Sequence, residues 1–277
     1  MHGAEGPMTG VRSVDEHRAP PLSGFARVVE PFRVMDVLDR AQMAARAGRD
    51  IIHLEVGEPD FPTPPAVVEA GRVALAAGDT RYTPAHGTGA LRHAIAQDYR
   101  RRHGADIDPD RVIVTAGASA AILLALAAGM DPGQQVLLPD PGYACNRPFV
   151  TARGGIPVAL PVSAENAFQP TAREVASAWG EETRAVLLAS PANPTGTCLA
   201  PEQLAAIMDV VRARGGLVIM DEIYAQIVFD PGAPSAAAAF PDVVVINSFS
   251  KYFAMTGWRL GWMVVPEAWI EPVRRLA

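Results

Sequence analysis

The chain has 277 residues, 49% of them apolar and 19% charged, with a formal net charge of -6. That is the composition of an ordinary folded domain with a sizeable core, and its acidic balance excludes a nucleic-acid groove, which needs concentrated Lys and Arg to grip phosphates. The two cysteines, Cys145 and Cys198, are spaced neither as a zinc motif nor as a disulfide framework, which points to a reduced, cytoplasmic setting.

Residues 1–24 mix Gly, Pro and both charges without an apolar run, so they read as a loose tail and not as a leader. Apolar positions at Val34, Val37, Leu38, Ala41, Ala44 and Ala45 predict a helix over residues 34–48. A short extended stretch, 51–54, precedes Gly57-Glu58-Pro59-Asp60-Phe61-Pro62-Thr63-Pro64-Pro65, whose prolines forbid regular structure. Two amphipathic helices are expected over 65–77 and 89–102. Beyond Asp110, short β-branched runs alternate with helical stretches. Strands are predicted at 111–115, 135–138, 157–162, 185–189, 217–220, 243–247 and 260–265. Helices are predicted at 119–130, 201–214 and after Glu267. Continuous apolar strands alternating with helices indicate an α/β architecture with a mainly parallel central sheet covered on both faces. The most apolar stretch, 120–130, is far shorter than the ~20 residues of a membrane-spanning helix.

The unusual residues fall at the carboxyl ends of the strands, where such sheets bind ligands. Ser248-Phe249-Ser250-Lys251 follows the strand at 243–247, with Arg259 eight residues beyond the lysine. Two hydroxyls and a guanidinium fork at this spacing can converge on a phosphate. A desolvated lysine near other cations is a nucleophile that forms reversible imines. Asp221-Glu222-Ile223-Tyr224 follows the strand at 217–220, and Ser190-Pro191-Ala192-Asn193-Pro194-Thr195-Gly196 follows the strand at 185–189. Thr115-Ala116-Gly117-Ala118-Ser119 joins a strand to a helix N-terminus, a natural seat for an anion. Tyr143 follows a Pro-Gly turn, and Tyr82 precedes a helix. Singly, each is also explained as a cap, a turn or a packing aromatic; their conjunction is what carries information.

Together these motifs closely resemble those of the class I/II aminotransferases within the fold type I pyridoxal-phosphate enzymes, over nearly the whole chain after about residue 30. The resemblance implies a three-layer αβα fold and pyridoxal 5'-phosphate held as a Schiff base on Lys251. Asp221 would pair with the pyridine nitrogen, and Tyr224 and Asn193 would bond the phenolic oxygen. Lys251, Asp221 and Tyr224 would be the catalytic groups. Ala118, Ser119, Ser248, Ser250 and Arg259 would seat the phosphate, and Tyr143 would stack on the ring. Gly57 and Asn193 would meet the substrate carboxylate. Tyr82 would reach the phosphate of a neighbouring subunit, which implies a homodimer with shared sites. The implied substrates are an L-amino acid and a 2-oxo acid.

Two other readings share these residues. A carbon–sulfur β-lyase or related synthase would use the same Lys, Asp and Tyr. A non-enzymatic effector sensor would need a DNA-binding module, which the N-terminal tail is too short and too acidic to supply. The resemblance also implies a division into a flexible tail (1–24), a segment belonging to a small domain (25–60) and a large cofactor-binding domain (61–277). A C-terminal small-domain portion, on the order of a hundred residues, would be absent, and with it the arginine for the substrate α-carboxylate.

Overall fold

Consecutive side chains of a strand point to opposite sides of a sheet, so an apolar run with no polar face must be covered twice. The structure, a computed structural model that describes residues 20–229 and 235–277, meets this requirement with seven strands. They are β1 (Val112–Thr115), β2 (Gln135–Asp140), β3 (Ile156–Pro161), β4 (Thr183–Ala189), β5 (Leu217–Asp221), β6 (Val244–Ser248) and β7 (Gly261–Val264). They form one sheet in the order β1-β7-β6-β5-β4-β2-β3. Every neighbouring pair is parallel except those of β7, which runs against both β1 and β6.

The two cores follow from this alternation. Val218 and Met220 of β5 join Leu137, Val186, Leu188 and Val245 on one face. Leu217 and Ile219 join Val136, Leu138, Leu187, Val244 and Ile246 on the other. The helix Pro201–Ala213 closes the first face through Leu204, Ile207, Met208 and Val211. The helix Ala118–Gly129 closes the second through Ala121, Ile122, Ala125 and Leu126. Each fully buried Leu or Ile contributes roughly 1.5–3 kcal/mol, so these two layers are the main source of the fold's rigidity.

The helices expected near the start of the chain are Arg33–Arg46, Pro65–Ala76 and Gly89–His103. Thr88 caps the last of these with its hydroxyl, and Gly104, at φ 64°, ends it. Residues 51–54 are extended but stay outside the sheet. Helices at Asn146–Ala152 and Ala172–Ala178 went unpredicted because they are short. The second did carry a signal: Thr171 and Glu174 form a capping box, each bonding the other's backbone N–H. The alanines after Ser235 form one helical turn, Ala236–Ala239, and the final predicted helix is Ile270–Leu276.

Contacts divide the chain into two units at the Glu30/Pro31 junction. Within the first, one short helix, Gly24–Val28, is capped by Ser23; residues 1–19 of the expected tail lie outside the described residues. The second carries the sheet and all other described helices.

Candidate active site

Parallel strands send their following loops to one edge of the sheet, and the antiparallel β7 begins where its neighbours end. Thr115, Gly261 and Ser248 are therefore in register across β1, β7 and β6. Chain segments 115–119, 248–251 and 259–261 meet on that edge.

At the end of β1 the Thr115 hydroxyl donates to the Gly117 carbonyl at 2.9 Å. Gly117, at φ 88°, is the cap residue of the helix Ala118–Gly129, and no side chain bonds the first N–H groups. The backbone at this position calls for glycine. A positive φ strains any other residue, and a Cβ would lie 2.6 Å from Arg259 Nη2. A Cβ on Gly261 would likewise lie 2.8 Å from the Gly117 carbonyl carbon. The two glycines thus bring a helix N-terminus and a guanidinium together, two positive features suited to one anion.

Asp221 closes β5, and its Oδ1 accepts from Ile223 N–H at 3.0 Å. Burial pushes its carboxyl up to about 6 in spite of that hydrogen bond. Asn193 Nδ2 donates to the Tyr224 hydroxyl at 3.4 Å. Burial, and then the Asp221 charge, raise the tyrosine above its usual range, while the Asn193 contact opposes them. The Asn193 loop is tied down by Ser190, whose Oγ accepts from Leu199 N–H at 3.0 Å.

At the end of β6, Ser248 is fully buried. Its hydroxyl donates to the Leu260 carbonyl at 3.0 Å, accepts from Ser250 N–H at 3.0 Å and lies 2.8 Å from Ser250 Oγ. Thr256 Oγ1 donates to the Ser250 carbonyl at 3.0 Å. Thr63 accepts from Trp258 Nε1 at 3.0 Å and donates to the Ala254 carbonyl at 2.7 Å. These bonds brace the turn that presents Lys251, the one lysine of the sequence. Its Nζ donates to the Gly57 carbonyl and stands 5.8 Å from the centre of the Tyr224 ring. Burial lowers its pKa, with Glu58 opposing.

Lys251, Asp221, Tyr224, Asn193, Ala118, Ser119, Tyr143 and Gly57 all line one cavity of about 810 Å³, a size ordinary for small-molecule sites. Tyr143 meets Phe32 edge-on at 6.0 Å. The other expected residues are not in its wall. Ser248 and Ser250 lie behind Lys251, with the Ser248 hydroxyl spent on the backbone. Arg259 is exposed beside Gly117, where its Nη1 donates to the Thr256 carbonyl at 2.9 Å. Tyr82 is wholly exposed in the loop before the helix Gly89–His103.

Sequence reasoning missed several wall residues: Phe32, Val34, Met35, Cys198, Ile227, Val228 and Phe229. Val34 was read only as one position of a helical stripe, and no residue of the helix Arg33–Arg46 is buried. It also passed over Glu222. Its carboxylate accepts from Ser235 Oγ and Ala236 N–H, both at 2.6 Å, and burial pushes it up to about 7.

The fold and cavity define a three-layer α/β protein whose sheet edge gathers a lysine, a buried carboxylate and an uncapped helix N-terminus. Residues 49–277 match the model of aminotransferase class I and II, and the chain belongs to that family. Its members depend on pyridoxal phosphate. The chain is 44% identical to the valine–pyruvate aminotransferase of Mycobacterium tuberculosis over 86% of its own length and 62% of that protein's. It is 37% identical to the arginine–pyruvate transaminase of Pseudomonas aeruginosa, covering 87% of this chain and 62% of the relative. Among solved structures, the aspartate aminotransferase of Thermus thermophilus with maleate superimposes with a TM-score of 0.88 at 33% identity, over 93% of this chain and 68% of that one. The fold is thus that of the fold type I aminotransferases, of which the chain spans about two thirds.

Proposed function

We propose that this chain is the cofactor-binding part of a pyridoxal-phosphate-dependent aminotransferase, which moves an amino group between an L-amino acid and a 2-oxo acid. The observation that carries the reading is the meeting of Lys251, Asp221 and Tyr224 in one cavity.

The donors present fit the cofactor. Asp221 is a buried carboxylate with one backbone donor on Oδ1, which leaves it free to accept from a protonated pyridine nitrogen. A cation there would return the raised carboxyl to its ionised form. The Tyr224 hydroxyl and Asn193 amide, already in contact, suit a phenolic oxygen. The N–H groups of Ala118 and Ser119, with Arg259 beside Gly117, suit a phosphate; Ser248 and Ser250 support the turn that carries the lysine. Tyr143 offers a flat face to a ring.

When bound, the cofactor acts as an electron sink for charge developing at the substrate Cα. The remaining work falls to the chain. Lys251 is the covalent anchor, and its lowered pKa favours the neutral amine that can form the bond. Its Nζ would be the base that takes a proton from the substrate Cα and the acid that returns it. Asp221 would keep the ring nitrogen protonated, and Tyr224 would steady the phenolic oxygen. Gly57, whose carbonyl reaches Lys251 Nζ, brings backbone close to where the substrate carboxylate would lie.

The same reading assigns residues 25–60 to a smaller domain and 61–277 to a large one. It also pairs two copies of the chain, with Tyr82 of each offered to the other's phosphate. Among the described residues no helix is long and apolar enough to cross a membrane, and the two free cysteines suit a cytoplasmic enzyme.

Adding pyridoxal phosphate to the purified chain should produce a visible absorption band. Borohydride followed by peptide mapping should then fix the cofactor on Lys251, and Lys251→Ala should abolish both. A band that persists in that variant would overturn the reading.

A further inference from the structure

Gln169 belongs to no motif, yet it is almost completely buried, with 2% of its surface exposed. Its Nε2 donates to the Ala189 carbonyl at 3.1 Å and to the Thr197 carbonyl at 2.8 Å. These two residues bracket the loop that carries Asn193. Ala189 ends β4, beyond the last pairing of that strand with β2 at Val186, and Thr197 follows Gly196. Only an NH2 group can serve two carbonyls at once, so the surroundings fix which way the amide points.

The loop has few donors of its own, because Pro191 and Pro194 lack an N–H. Two backbone bonds close it on itself: Ala192 N–H to the Thr197 carbonyl at 2.9 Å, and Gly196 N–H to the Ala192 carbonyl at 2.7 Å. Gln169 joins this turn to the segment between β3 and β4. That segment is firmly held. Ala167 and Phe168 both adopt positive φ, 50° and 54°, a conformation that persists only where surrounding bonds impose it. Phe168 N–H donates to the Ser163 carbonyl at 2.7 Å and Gln169 N–H to the Asn166 carbonyl at 2.9 Å. On one side Asn166 Nδ2 donates to Glu174 of the helix Ala172–Ala178 at 3.0 Å. On the other, the Pro170 carbonyl accepts from Gln203 of the helix Pro201–Ala213 at 2.8 Å.

The Asn193 contact with the Tyr224 hydroxyl is long, 3.4 Å, so a small displacement of the loop would break it. We propose that Gln169 is a positioning residue: its amide pins both ends of the loop 190–197 and thereby holds Asn193 against Tyr224. Gln169 is not in the cavity wall and acts through Asn193. The inference rests on the aminotransferase reading and deepens it.

Gln169→Met keeps the side chain's bulk and removes both donors. In the cofactor-free variant, hydrogen exchange at Ala192 and Gly196 N–H should quicken by about tenfold, while Ile219 in β5 keeps its rate. The second readout uses the chain loaded with pyridoxal phosphate. A donor on the phenolic oxygen favours the more negative form. Loosening Asn193 should therefore raise the pH at which the visible band changes, by about half to one unit. Asn193→Ala should give the same shift, and adding Gln169→Met to it should change little. Unchanged exchange in the loop, or shifts that simply add, would overturn the inference. If Ile219 exchanges faster too, the parent chain decides. Its Gln169 side-chain amide should be protected as strongly as Ala192 and Gly196 N–H, since one opening releases all three; weak protection overturns the clamp. A parent chain with no band sinks the aminotransferase reading and this role with it. A parent band whose transition stays in place in Gln169→Met sinks the positioning role alone.

Discussion

Gly117 and Arg259 are packed so closely that a methyl group on the glycine would sit 2.6 Å from Nη2 of the arginine. This contact joins the turn after β1 to the turn before β7, beside the proposed phosphate seat. Gly117→Ala should therefore push the guanidinium aside, on top of roughly 1–3 kcal/mol for an alanine at a positive φ with extended ψ, a region open essentially to glycine alone. Equilibrium dialysis should show pyridoxal phosphate binding weakened by about tenfold, with pyridoxal, which lacks the phosphate, little affected. Equal losses for both ligands would mean that the contact serves folding and not anion binding.

The burial of Asp221 makes a prediction about pH. Its carboxyl is raised from 3.8 to about 6, so between those values the folded chain holds a proton that the unfolded chain has released. The resulting stability is fully present below about pH 4 and is lost as pH rises through about 6. At roughly 1.4 kcal/mol per pKa unit, the cofactor-free chain loses roughly 3 kcal/mol through this group. Asp221→Asn should remove that loss, so that its melting temperature exceeds the parent's at pH 8 more than at pH 5. An equal difference at both pH values would contradict the burial argument.

Ser248 should behave as a brace. Ser248→Ala leaves the Leu260 carbonyl and the Ser250 N–H without the hydroxyl that joins them, in a spot closed to water. Leaving buried polar groups unpaired costs about 1–3 kcal/mol, readable as a lowered urea midpoint with an unchanged slope. A variant as stable as the parent, but poorer in cofactor, would return Ser248 to phosphate contact.

Tyr82 is wholly exposed, as a residue offered to a second copy would be. Sedimentation should give a dimer for the chain. Tyr82→Ala should keep that mass while weakening cofactor binding by about tenfold. A monomer whose cofactor affinity ignores Tyr82 would remove the shared-site proposal.

Much of this protein was legible before folding was considered. Pairing of apolar runs with helical stretches gave all seven strands within a few residues, because a strand covered on both faces needs an unbroken apolar run. The motif at Lys251 and those at Asp221 and Asn193 stood directly after such runs, so their arrival on one edge followed from parallel order. The short helix Ala172–Ala178 was legible too, in the Thr171 and Glu174 capping box, but seven residues carry too little periodicity to announce themselves.

Other features required the tertiary structure. Local sequence could not reveal that β7 runs antiparallel, yet that reversal delivers Arg259 to the edge where β1 and β6 end. It could not distinguish Ser248, sealed beneath the turn, from Ser119 in the cavity wall, since both are hydroxyls beside a strand end. Nor could it show that Val34, read only as part of a helical stripe, and its neighbour Met35 form the wall of a pocket. The chemistry proposed for Lys251, Asp221 and Tyr224 was read from residue identity at fixed spacing, which the chain determines by itself. The apolar wall and the Gly117–Arg259 contact depend on which distant segments share a surface, and only packing decides that.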